Sequence, residues 1–168
     1  MFQGDAPAVA RVFPGEPRGV PEARCWAAAV LAQAGADPET GELLASELVT
    51  NALLHTRSGQ PGGTVTVIVT PAGALHVHDL GPAGPRPCGG PGSWAPSAGR
   101  EDFGRGLLLV AELGTGLAHG PAAACPVAWP GDPAIRAGGC CTRCVPPELE
   151  AVPPGAAPLG RHPSAAAA

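Results

Sequence analysis

The chain has 168 residues, enough for one domain of ordinary size with an appendage, and 45% of them are hydrophobic. Its net charge is −4 and its ten cationic residues are all arginines, which argues against the basic patch of a nucleic-acid-binding protein. No apolar run reaches the roughly 18–20 residues that span a bilayer, and the first residues do not resemble a secretory signal. These features predict a cytoplasmic protein that binds neither nucleic acid nor membrane.

Two helices are predicted in the first third of the chain. The first runs over about 20–34, with Pro and Glu in its first turn, and Gly35 is a suitable stop. Asp37 and Pro38 then provide an N-cap and a first helical residue. The second helix runs from there to about residue 55.

A β-hairpin is predicted next, because two alternating segments flank a Pro-Ala-Gly turn. They cover residues 64–70 and 74–79. Alternation places Asp79 on the apolar face of the second strand, and His76 and His78 on the other face. A buried carboxylate is costly without a partner, so Asp79 is expected at the mouth of a cavity.

Gly and Pro number 25 and 22, and they crowd the second half of the chain. The segment 81–100 is too long for an ordinary connection, which favours a lid or a disordered loop. A third, apolar helix is predicted from about Gly106, and Gly114 ends it.

Residues 115–118 suit either a strand or a turn, and 125–129 are predicted to form the last strand. The predicted domain therefore covers residues 10–130. Residues 1–9 are predicted to be a flexible arm, and residues 131–168 a disordered tail rich in Cys, Pro and Ala.

The second helix carries the most informative pattern of the chain. Glu47, Asn51 and His55 follow one another at i+4, so they lie on one face, beside an apolar stripe that includes Leu44 and Leu48. The solvated side of an amphipathic helix would give the same pattern. His55 is best explained by its position near the last carbonyl groups of the helix.

Two later motifs suggest a nucleotide. Asp79 is followed by Gly81, which allows the backbone to pass close to a base. Gly104, Arg105 and Gly106 expose backbone N–H groups at the start of a helix, where phosphate is favoured. A flexible hinge is the alternative explanation for this second motif.

The order of these motifs resembles the ATP-binding domain of the GHKL superfamily, which includes gyrase, chaperone, mismatch-repair and histidine-kinase ATPases. The likeness covers roughly residues 11–129 and is closest to bacterial anti-sigma-factor serine kinases and their stand-alone relatives. It implies an α+β two-layer sandwich, in which a mixed, mostly antiparallel sheet has helices on one face. An ATP pocket would lie between the layers.

The resemblance also implies a role for each motif. Asn51 would be a ligand of Mg²⁺, and Glu47 would accept a proton from the attacking hydroxyl or water. Asp79 would accept a hydrogen bond from the adenine amino group, with Gly81 beside the base. The phosphates of ATP would bind at Gly104, Arg105, Gly106 and Leu107.

The implied function is an ATP-dependent serine/threonine kinase that phosphorylates a small antagonist protein and binds a sigma factor in competition. Relatives of this type act as homodimers. Those relatives also have a Gly-rich turn and a β-branched hydroxyl residue near the adenine, and Pro126 stands in that region here. This departure favours the alternative of a nucleotide-gated protein-binding module with little or no kinase activity.

A third hypothesis is a metal- or thiol-based sensor. Cys140, Cys141 and Cys144 supply three soft ligands without a clear fourth, so free thiols in a loose tail are favoured over a structural zinc. His76 and His78 are likewise expected to cover the second face of the sheet rather than to bind metal.

Overall fold

The computed structural model describes residues 7–84, 110, 115–129 and 131–146. Within these residues the protein is an α+β fold, in which helices pack on one face of an open antiparallel five-stranded sheet. The predicted fold class is confirmed, although every described strand pair is antiparallel rather than mixed. The elements in chain order are β1 (Val9–Pro14), α1 (Gly19–Ala34), α2 (Pro38–His55), β2 (Thr64–Val69), β3 (Leu75–Asp79), β4 (Thr115–Pro121), α3 (Pro133–Arg136) and β5 (Cys140–Val145).

The two long helices begin and end where the sequence predicts. Gly35 ends α1 with a φ of 101°, and its N–H donates to the carbonyl groups of Leu31 and Ala32. The Asp37 carboxylate caps α2 by accepting a hydrogen bond from the Thr40 N–H at 2.8 Å. This cap fixes the residue at which α2 begins.

The predicted hairpin is also present. Gly73 adopts a φ of 79° in the turn, and the Thr70 N–H donates to the Ala74 carbonyl at 2.9 Å. Val67 of β2 lies opposite Val77 of β3. The hydrophobic core lies between this face of the sheet and the two helices; its largest fully buried members are Phe13, Leu31, Leu44, Leu48, Val49, Val65, Val67, Val69, Leu75 and Val77.

The opposite face of the sheet is buried as well, although antiparallel sheets commonly expose one face to solvent. His76 and His78 are 2% and 0% exposed. The connection between β4 and β5 lies against this face, and its short helix α3 packs on β2. Burial, aided by the nearby charges of Arg143 and His78, lowers the pKa of His76 to about 4.

The prediction of a last strand over residues 125–129 is wrong. Residues 125–129 follow a short 3₁₀ helix, contain a turn and pair with no described strand. The last strand is β5, and the ambiguous segment 115–118 begins β4. The sheet order is β1-β2-β3-β5-β4, so β5 lies inside the sheet. Residues 131–146 therefore belong to the fold, while 147–168 lie outside the described residues.

Residues 140–144 belong to a strand and not to a loose tail, because Cys can pack as a small apolar residue. Cys144 packs in the core on the helix side, and Cys141 is buried on the other side, which is the alternation of a strand. Cys140 is disulfide-bonded, so the expectation of three free thiols holds only for Cys141 and Cys144.

Most of the predicted lid and third helix lies outside the described residues. Val110 is described, and it is helical and buried in the core. Among the helices that the structure describes, none has the length and apolar character to cross a membrane.

Candidate functional site

Helix α2 places Glu47 and Asn51 at the border of the core. Both side chains are half-buried, whereas Leu44 and Leu48 on the adjacent stripe are buried. His55, the third member of the predicted triad, is exposed at the end of the helix. Helix α2 packs against β3, the strand that ends at Asp79.

The end of β3 holds a buried carboxylate. Asp79 is 4% exposed, and its Oδ1 accepts a hydrogen bond from the Gly81 N–H at 2.7 Å. Burial raises the pKa of Asp79 to about 6, although backbone N–H groups of Gly81 and Cys140 and the Arg57 guanidinium oppose the rise. The carboxylate is thus mostly ionised at neutral pH and can accept a further hydrogen bond.

Two glycines, Gly81 and Gly139, allow the backbone to pack closely around Asp79. Gly81 has a φ of 84°, and a Cβ there would lie 3.0 Å from the Gly138 carbonyl oxygen. A Cβ on Gly139 would lie only 1.9 Å from the Asp79 carbonyl oxygen. Both positions therefore require glycine, because the two chain segments approach each other closely.

A Gly-rich turn lies next to Asp79, in a different part of the sequence from the one that the prediction considered. The Gly-rich turn is at Gly138 and Gly139, directly before β5, and not near Pro126, which is exposed. Cys140 stands opposite Asp79 in the β3–β5 register. The hydroxyl residue on this strand is Thr142, whose Oγ1 lies 2.9 Å from His119 Nδ1.

Arg57 joins three segments at this point, and sequence reasoning missed it. Its backbone N–H donates to the Gly81 carbonyl at 2.8 Å, and its Nη2 donates to the carbonyl groups of Leu80 and Ala137. The neighbouring Ser58 is fully buried, and its Oγ accepts from the Leu80 N–H at 2.9 Å. A lone Arg after a helix gives no pattern from which this role could be predicted.

The structure thus brings Asp79 and Gly81 together with Arg57 and the Gly138–Gly139 turn, beside the helix that bears Glu47 and Asn51. The other predicted site residues lie outside the described residues, so their place in the site stays a prediction; they are Gly104, Arg105, Gly106 and Leu107. The described half offers one buried acceptor, one half-buried carboxylate and one half-buried carboxamide.

A family model described as "Histidine kinase-like ATPase domain" matches residues 13–118, which is more than half of the chain. The chain belongs to this family. No match was found among curated proteins. Membership in a histidine kinase-like ATPase family supports ATP binding, and the matched range contains every predicted site residue. Strand β5 and the Gly138–Gly139 turn lie beyond that range.

Proposed function

We propose that this protein is an ATP-dependent serine/threonine kinase of the partner-switching kind, which phosphorylates a serine of a small antagonist protein. The observation that supports phosphotransfer most directly is the pair Glu47 and Asn51, one helical turn apart on the border of α2. A domain that only bound nucleotide would have no need of a carboxylate one turn from the metal ligand.

The nucleotide would be held by the residues at the end of β3. Asp79 would accept a hydrogen bond from the adenine amino group, because it is buried, ionised at neutral pH and close to the helix layer. Gly81 would lie beside the base, as the family resemblance implies, while Gly139 lets the chain before β5 pack against Asp79. The predicted N–H groups of residues 104–107 would bind the phosphates.

Asn51 fits a magnesium ligand by its chemistry and exposure. Its carboxamide is half-buried and makes no side-chain hydrogen bond to another described residue, so its oxygen is available. Mg²⁺ prefers oxygen ligands, retains several waters and usually takes only one or two protein groups. When bound, the ion would neutralise charge on the phosphates of ATP.

Glu47 would act as the general base. Its carboxylate would take the proton of the serine hydroxyl while the serine oxygen bonds to the γ-phosphorus and the bond to the β–γ bridging oxygen breaks. The products would be ADP and a phosphoserine. A sigma factor would bind in competition with the antagonist, and the active form would be a homodimer, as in the relatives that the sequence resembles.

The alternative of a nucleotide-gated binding module loses its main support. That hypothesis depended on Pro126 in the wall of the base pocket, and Pro126 is exposed in a turn outside β5. The Gly138–Gly139 turn beside Asp79 supports the kinase, because relatives of that kind have a Gly-rich turn near the adenine.

The test combines binding with transfer. Titration with an ATP analogue and Mg²⁺ should show an affinity that Asp79→Asn lowers by roughly tenfold or more, which corresponds to about 1.4 kcal/mol. With labelled ATP and antagonist proteins from neighbouring reading frames, Glu47→Gln should keep ATP affinity but slow transfer by about 10²–10⁴-fold.

Glu42→Gln is the matched control, because Glu42 lies on the same helix but is exposed. Unchanged affinity in Asp79→Asn would contradict the adenine contact. Transfer by Glu47→Gln at the parent rate would contradict the base. If the parent binds ATP but phosphorylates no antagonist, the protein is the nucleotide-gated module.

A further inference from the structure

The buried face of the sheet opposite the helices contains a cluster of metal-ligating side chains. The cluster consists of His76, His78, Cys125 and Cys141. Three of these residues are buried and Cys125 is half-buried, so none lies on an open surface. The proposed kinase chemistry uses none of them.

Strand geometry explains how three of the four residues meet. His76 and His78 are two residues apart on β3, so both point away from the helices. Cys141 of β5 is the direct partner of His78 in the β3–β5 register. Cys125 comes from the β4–β5 connection that lies over this face.

Three of the four ligand atoms are already spaced close to what a tetrahedral metal requires. The Cys125 Sγ is 3.3 Å from His76 Nδ1, the Cys141 Sγ is 3.6 Å from the same nitrogen, and the two sulfurs are 3.5 Å apart. All four ligand atoms lie within 4.8 Å of one another. Zinc bonds of about 2.3 Å to sulfur and about 2.0–2.1 Å to nitrogen in a tetrahedron separate ligand atoms by roughly 3.3–3.8 Å.

His78 provides an independent observation. Its Nδ1 lies 2.6 Å from the Asp132 carboxylate, while its Nε2 is buried and has no partner among the described residues. A ring nitrogen buried without a partner is rare unless an ion or water fills the gap. Metal-binding histidines characteristically donate their other ring N–H to a carboxylate, which fixes the tautomer and aims the free nitrogen at the metal.

Asp132 is buried and is held in place by hydrogen bonds. It is 0% exposed, and its Oδ1 accepts hydrogen bonds from the Ala134 N–H at 3.0 Å and the Thr66 hydroxyl at 3.2 Å. Asp132 also caps α3, so the short helix holds the carboxylate that orients His78. The site therefore has both a set of ligands and a second layer of support.

We propose that His76, His78, Cys125 and Cys141 bind one structural Zn²⁺, with Asp132 orienting His78. Two imidazoles and two thiolates form a tetrahedral N₂S₂ set, and the two thiolates neutralise the charge of the ion. Binding releases the two thiol protons to solvent, and the metal changes no oxidation state. All four positions are filled by protein, so the ion has no open site for catalysis.

The competing explanation is a disulfide between Cys125 and Cys141. Both thiols are free and their sulfurs are 3.5 Å apart, which is well beyond a bond of about 2.05 Å. A disulfide would also leave His78 Nε2 without a partner. The zinc site accounts for the thiols and for the imidazole together.

The test begins with the full-length parent protein, purified under reducing conditions without chelator. Elemental analysis should find about one zinc per chain, and refolding with Co²⁺ after metal removal should give the visible bands of a tetrahedral cobalt–thiolate complex. Less than about 0.2 zinc per chain after growth and refolding with zinc, without cobalt bands, would overturn the proposal. A Cys125–Cys141 disulfide that persists in the protein purified under these reducing conditions would also overturn it.

Variants then locate the site. Cys125→Ser and His78→Gln should each lower zinc content at least fivefold in the purified protein. Cys25→Ser is the matched control, because Cys25 is a free and exposed thiol on α1; it should retain full zinc content and the same cobalt spectrum. Equal metal content in the control and in Cys125→Ser would place the ion elsewhere and overturn the assignment.

Discussion

The two faces of the sheet are both buried, but they are buried by different means. On the helix side, aliphatic residues of β2 and β3 pack against α1 and α2 in an ordinary hydrophobic core. On the other side, His76, His78 and Cys141 of the sheet meet Cys125 and Asp132 of the β4–β5 connection. Apolar side chains alone form the first face, whereas on the second face polar and sulfur-containing side chains are buried beside Ile68 and are joined by specific contacts. The contrast explains why a metal site is expected on the second face and not on the first.

Metal removal should give the largest effect on stability, because only the second face would contain an ion. A ligand at a thousandfold excess over its Kd stabilises by about 4 kcal/mol. A chain of this size changes its Tm by about 2–4 °C per kcal/mol, so a strong chelator should lower the Tm by roughly 10 °C. Thermal unfolding followed by circular dichroism measures this, and one equivalent of Zn²⁺ should restore the parent curve.

The Cys125→Ser variant is the control for chelation, since its Tm should not respond to the chelator. A parent Tm that is unchanged after complete metal removal would show that the second face is stable without an ion.

Substitution of Gly139 should give the next largest loss of stability. Gly139 is the last residue before β5, and it packs against Asp79 at the end of β3. An added Cβ would be 1.9 Å from the Asp79 carbonyl oxygen, so the backbone must move. We expect Gly139→Ala to lower the free energy of unfolding by about 3 kcal/mol. Urea denaturation measures the loss.

Gly120→Ala is the matched control, because a Cβ at Gly120 has no neighbour within 4 Å. Its unfolding free energy should stay within about 0.5 kcal/mol of the parent. Equal losses in the two variants would mean that the close approach at Gly139 is not what matters.

Arg57 should give the smallest of the three effects. Arg57→Ala leaves the carbonyl groups of Leu80 and Ala137 without their donor, which we expect to cost about 2 kcal/mol in urea denaturation. Arg18→Ala removes an ion pair with Glu16 whose side chains are 74% and 55% exposed, so its effect should be near zero. A loss in Arg57→Ala no larger than in Arg18→Ala would contradict the three-way connection.

The predictable parts of the molecule are those whose signals are local. Asp37 and Pro38 marked the start of α2, Gly35 marked the end of α1, and alternation along β3 gave the direction of Asp79. Each of these signals acts within a few residues of its own position, so the sequence alone contains it.

The rest depends on contacts between distant segments. Strand β5 contains three cysteines and no aromatic residue, and its only β-branched residues are Thr142 and Val145, so its sequence is a weak strand signal. Cys141 lies 65 residues from His76 and 16 from Cys125, a spacing that matches no contiguous zinc motif. The two histidines on one face of β3 were visible, but only the sheet order shows what stands beside them.

Strand order also sets when the sheet can be completed. β5 is the last described strand in the chain, yet it lies between β3 and β4. During synthesis, the N-terminal helices and the β2–β3 hairpin can form early, while β3 keeps an open edge. That edge stays available for pairing with other chains until β5 leaves the ribosome. Metal loading at Cys141 must then be a late event, and a chain that stops before β5 would present β3 as a site of aggregation.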